Sequence, residues 1–289
     1  MASKRSDLDP QLAEQLEAIY RASTHHEPLV ALQLLSTALH HPALAHHPLE
    51  QAALFEEVGS VLQRAEQLEA ALQLYDDAIA RFPHWPFARY ERAFILLFLG
   101  RTQEGIEDLS AVARVHPGYR DAQRSAALLE ASVKGDVPSE QTLQLVLMQH
   151  DPQTVLRVPS YLREIGQQHP RLQLARLLLA RAWLDRGEES DLPAAVALLE
   201  EVVATGEADA VSGAEARFLL AGLFDNPDSS LVERYLAEAA QSFPEGVWGQ
   251  LASMVLEGNL PPGPVHWHYQ PDGRIEVHVG EDEGALDDQ

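Results

Sequence analysis

Along residues 52–85 the apolar positions recur at helical spacing rather than alternating. Phe55, Val58, Gly59 and Leu62 mark one face of a first helix, and Ala71, Tyr75 and Ala78 mark one face of a second. Steps of three and four residues place such side chains on one side of an α-helix. Gly59 and Ala71 are small enough for two antiparallel helices to approach closely, Leu62 and Tyr75 fill the space between them, and Pro83 stops the second helix. The pattern returns 34 residues later over Pro86–Tyr119, with Ala93, Leu96, Gly100, Leu109 and Pro117 in register. Two positions depart from it. Arg92 stands where a large apolar residue is expected, and Gly105 where alanine is.

Weaker copies flank these two. Ala31, Leu35 and Ala38 fit a second helix behind a first over residues 11–21, and residues 120–131 read as another first helix. Ser132-Val-Lys-Gly-Asp-Val-Pro138 interrupts the pattern and predicts a hinge. Helices are predicted over 139–149 and 159–168. Ala175, Ala180, Trp183, Gly187, Ala195, Leu199 and Val202 then restore the repeat, with a short insertion near Glu188–Asp191. A further pair spans 214–224 and 230–242, and a last helix runs to Leu256. Beyond Leu260-Pro-Pro-Gly-Pro264 the period changes to two. Val265–Tyr269 and Arg274–Val279 alternate around Pro271-Asp272-Gly273, the pattern of a β-hairpin with a short glycine-ended loop.

The order over 52–85, large, large, small, large, then small, aromatic, small, proline, resembles the tetratricopeptide repeat, in proteins of bacterial type. That resemblance implies an all-α solenoid of antiparallel helix pairs, about six or seven including degenerate ones, closed by a small C-terminal β-hairpin. The expected organisation is a flexible stretch over 1–9, repeats over 10–131, a hinge at 132–138 and degenerate repeats over 139–257. The hairpin over 265–279 and a disordered acidic tail over 280–289 complete it.

In this family the first helix of each pair lines a concave groove. Carried onto this chain, the groove residues are Phe87, Tyr90, Glu91, Phe94, Leu97 and Phe98, preceded by Glu56 and Glu57 of the previous repeat. The resemblance thus implies a protein-interaction scaffold or adaptor that holds a partner peptide or helix there. Some relatives clamp a partner's C-terminal carboxylate with lysine and asparagine at these places. Glu56 and Glu57 rule that clamp out here and favour a basic or amphipathic segment.

Composition narrows the classes further. Of 289 residues 46% are hydrophobic, and 44 acids against 21 bases give a formal charge of −23. A charge of that sign argues against nucleic-acid and anionic-membrane partners, which need a basic face. The absence of cysteine excludes disulfides, thiolate metal sites and a cysteine nucleophile. With no apolar leader at the start, a cytoplasmic location is expected. The motifs of serine hydrolases, phosphate-binding loops, dinucleotide folds and zinc proteases are not found, so the chain is expected to be non-catalytic.

Two other readings fit the residues. Alternation places His266 and His268 on one face of the hairpin, with His278 across from His266 and Glu276 across from His268. Three imidazoles and a carboxylate suit Zn²⁺, so a metal-binding protein or metal-dependent enzyme is the first alternative. The second is a self-assembling structural element that uses its apolar surface; the pattern leaves oligomeric state open.

Overall fold

The computed structural model describes residues 9–116, 119, 121–150, 155, 157–169, 172–204, 210–223, 230–244, 246–259, 265–269 and 275–279. Among these, fourteen α-helices follow one another, and a two-stranded sheet comes last. The chain divides into two compact units.

The first unit holds residues up to Asp108, together with Trp267–His278. Its helices are α1 (Pro10–Thr24), α2 (Pro28–Ala38), α3 (Pro48–Arg64), α4 (Leu68–Arg81) and α5 (Pro86–Phe98), followed by the first half of α6 (Thr102–Val115). Proline opens α1, α2, α3 and α5, where the missing N–H has no intrahelical partner to lose. Asp9 caps α1 by accepting from the amides of Gln11 and Leu12 at 2.9 and 3.2 Å. Consecutive helices from α1 to α5 pack pairwise.

The repeat residues are the packing residues. Phe55, Val58, Leu62, Ala71, Tyr75 and Ala78 are all buried. The two helices approach closely at Gly59, where an added Cβ would lie 2.2 Å from the Tyr75 hydroxyl. Phe55 meets Phe82 edge-on at 6.3 Å, Phe82 meets Trp85 at 6.0 Å, and Trp85 stacks on Phe87 at 5.0 Å. Such pairs contribute about 0.5–1.5 kcal/mol each beyond the area they bury. They tie the α3–α4 pair to α5. Gly105 is small for a related reason: its missing Cβ would lie 2.9 Å from Leu97 and 3.1 Å from the Ala93 carbonyl, so α6 lies close against α5.

The second unit begins at Leu109. It contains α7 (Ala122–Lys134), α8 (Ser139–His150), α9 (Pro159–Gln168), α10 (Gln173–Arg186), α11 (Leu192–Ala204), α12 (Ala210–Gly222), α13 (Ser230–Ser242) and α14 (Val247–Leu256). One apolar core runs through it, from Leu145 and Leu162 past Leu179, Trp183 and Leu199 to Leu220, Leu236 and Ala252. Where a hinge is expected, α7 continues to Lys134 and ends on Gly135 at φ +83°, and α8 turns back against α7. The insertion near Glu188–Asp191 is a single 3₁₀ turn at Glu189–Asp191.

Strands β1 (Val265–Tyr269) and β2 (Ile275–Val279) pair with each other. The residues between them, the side chains of both strands, and the termini expected to be flexible or disordered lie outside the described residues.

Candidate functional site

The face of α5 expected to line a groove is built from residues three and four apart. Of its apolar members Phe98 alone is exposed, at 54%, while Phe87, Tyr90, Phe94 and Leu97 are buried. Tyr90 and Phe94 lie against each other at 4.9 Å, Phe87 touches Trp85 and Tyr75, and Leu97 packs over Gly105. Glu91 is buried too and accepts a hydrogen bond from Gln63 Nε2 at 3.2 Å; the same nitrogen donates to the Tyr75 hydroxyl at 3.1 Å. These five side chains are therefore packing residues of their unit. Glu56 is exposed and Glu57 half-buried, so Phe98, Glu56 and Glu57 are the members of the expected set that a partner could reach.

The other side of α5 carries a cleft of about 320 Å³. Leu72, Asp76, Arg92, Leu96, Arg101, Glu104, Glu107 and Asp108 line it, from α4, α5 and the start of α6. Arg92, the departure from the apolar pattern, organises it. Its Nε and one Nη donate to the two oxygens of Asp108, both at 2.7 Å, and its other Nη donates to Asp76. Arg89 adds a contact to Asp108 at 3.2 Å. The Asp108 hydrogen bonds outweigh partial burial and hold the Arg92 guanidinium above its ordinary range. On the rim Arg101 grips Glu104 through two nitrogens at 2.7 and 2.6 Å, which lowers the Glu104 carboxyl below its usual range. Asp76, Arg92 and Asp108 stand 16 residues apart in sequence. That spacing was a readable signal for the network once Arg92 had been noticed.

The second unit contains a buried ion network that the sequence pattern did not reveal. Arg124 on α7 and Glu215 on α12 are both fully buried and meet at 2.6 Å. Arg124 also binds Asp121 and donates to the Ser212 hydroxyl at 3.4 Å. Arg181 on α10 closes the group at 3.2 Å from Glu215 and 3.7 Å from Asp121. Glu215 is the main cause that raises the Arg181 pKa, against the opposing effect of burial. Beside it, Gln149 Nε2 donates to Ser125 at 2.8 Å. Arg124 stands 34 residues after Tyr90, so the repeat place that holds an aromatic residue on α5 holds a charge on α7.

His266, His268, His278 and Glu276, the expected zinc ligands, have side chains outside the described residues. Among the described residues no three histidine or carboxylate side chains are placed to hold a metal ion. Nor, among them, is any helix long and apolar enough to cross a membrane. Three pairs of adjacent histidines, His25-His26, His40-His41 and His46-His47, occupy helix ends and turns. His25 caps α1, His26 adopts φ +57°, and His47 precedes α3.

Antiparallel helix pairs closed at Gly59 and Ala71 and filled by Leu62 and Tyr75 define a helical-repeat chain, and its repeats are tetratricopeptide-like. The same class appears in sequence comparison. Over 112 residues, 37% of the chain, it is 35% identical to the tetratricopeptide repeat and J domain-containing co-chaperone DNJ1 of Fusarium oxysporum f. sp. lycopersici. The chain spans 21% of that protein's length. No family model matches the sequence, and no solved structure matches it.

Proposed function

We propose that the protein is a non-catalytic scaffold that binds a partner protein through its tetratricopeptide-like helix pairs. The observation that carries this reading is the α3–α4–α5 packing. Every repeat position over residues 55–78 is buried as a helix-pair architecture requires, and the Trp85–Phe87 stack joins that pair to α5 as a platform. Similarity to a co-chaperone built on the same repeat supports protein binding as the role. On this platform Phe98 presents an exposed aromatic side chain, while Glu56 and Glu57 bias the inner face toward a basic or amphipathic segment. Tyr90, Phe94, Leu97, Phe87 and Glu91 shape that surface from beneath. A cytoplasmic setting without a cofactor belongs to the same reading.

The test is a pull-down from native lysate read by mass spectrometry, comparing wild type with Phe98→Ser and with Glu56→Lys/Glu57→Lys. All three positions are at least partly exposed, so circular dichroism should show unchanged helicity. The expected result is a protein enriched by wild type and lost with either variant. Retention of the same partners by both folded variants moves binding away from this face.

A further inference from the structure

The cleft between α4, α5 and α6 offers a chemistry that the inner face does not. Leu72 and Leu96 give its lining aliphatic carbon, and four carboxylates stand there against Arg92 and Arg101, with Arg89 reaching Asp108 as a third guanidinium, which leaves one negative charge in excess. The guanidinium groups already face carboxylates. Each of the three nitrogens of Arg92 donates to Asp108 or Asp76, and Arg101 donates twice to Glu104. The acceptors are not exhausted. An ionised carboxylate has about four lone-pair sites. Asp76 accepts one bond, from Arg92, Glu107 one from Gln103 at 3.3 Å, and Glu104 two. The acceptor sites left on these carboxylates outnumber the N–H groups left on Arg92 and Arg101.

Size and shape restrict the occupant further. A volume of about 320 Å³ sits at the small end of ligand pockets and suits one long side chain better than a cofactor. Lysine and arginine carry an aliphatic stem and a cationic head, which match an aliphatic lining among carboxylates. An anion would meet the excess negative charge. A multivalent metal finds no ligand set here, since no three carboxylates or histidines converge among the described residues.

We propose that this cleft receives a lysine or arginine side chain presented by a basic segment of the partner protein. The proposal rests on the scaffold reading and adds a second contact to it. Arg92 and Leu96 each follow Tyr90 and Phe94 by two residues, a rotation of about 200° on an α-helix. The cleft therefore lies on the side of α5 away from the tyrosine and phenylalanine.

The experiment uses the full-length protein and a fluorescein-labelled peptide alternating leucine with arginine, beside a twin with glutamate in place of arginine. Affinity is read by fluorescence anisotropy, and the position of binding by amide chemical shifts. The arginine peptide should bind and the glutamate twin should not, with shifts gathered at Leu72, Asp76, Leu96, Glu104 and Glu107. E104Q/E107Q, both at exposed positions, should keep its helicity and weaken binding about three- to tenfold, as expected for partly solvated charge pairs. Equal binding of both peptides, unchanged affinity in E104Q/E107Q, or shifts confined to the Phe98 face overturns the cleft. If the arginine peptide fails to bind while the pull-down still yields a partner lost with Phe98→Ser, the cleft falls and the scaffold stands. A pull-down with no such partner overturns the scaffold reading independently.

Discussion

Gly59 shows what a single residue decides in this fold. Its hydrogen takes the place where any larger group would collide with the Tyr75 ring, because a Cβ added there would lie 2.5 Å from Tyr75 Cζ. Neither partner can retreat easily, since Tyr75 is fully buried and touches Phe87 on its other side. Gly59→Ala should therefore destabilise the protein by about 1–3 kcal/mol despite the better helix propensity of alanine, the usual cost of overpacking. Urea denaturation followed by circular dichroism measures this. A loss below about 0.5 kcal/mol would show that the α3–α4 contact is looser than its geometry.

Between elements, polar contacts carry part of what apolar packing does elsewhere. Arg92 replaces an apolar repeat residue and holds α4 and α6 to α5 through Asp76 and Asp108. A double-mutant cycle of Arg92→Leu and Asp108→Asn should return a coupling energy of about 1–3 kcal/mol, because each single change strands a polar partner. Single effects that simply add would mean the bridge contributes nothing beyond its two halves. These contacts also mark how far the sequence could be read. Gly59, Tyr75 and Ala78 were legible because a helix pair closes on itself within about thirty residues, so periodicity alone names its contacts. The resemblance carried Tyr90 and Phe94 to one face of α5 as groove residues yet could not say that they would be buried. A repeat pattern reports direction around a helix, not what lies opposite. Arg124 and Glu215 were illegible for a stronger reason: they are 91 residues apart, and nothing local to either charge points to the other.

At the scale of the molecule the two compact units should respond separately to damage. Glu215→Ala leaves Arg124 fully buried with Asp121 as its remaining carboxylate, and removing one partner of a buried pair costs about 3–5 kcal/mol. Hydrogen exchange of that variant should show lost protection in α7, α10 and α12, while the amides of α3 and α4 stay as slow as in wild type. Equal loss in both units would mean that they unfold as one. The same ion pair limits how the chain could have changed by repeat exchange. Most helical arrays can gain, lose or swap a module wherever two modules meet, because each module touches only its neighbours. Here a deletion or crossover anywhere between Arg124 and Glu215 would separate a guanidinium from its counter-charge inside an apolar core. The segment from α7 to α12 is thus expected to change only as a block, and a length variant that still folds is expected to add or drop its modules outside it.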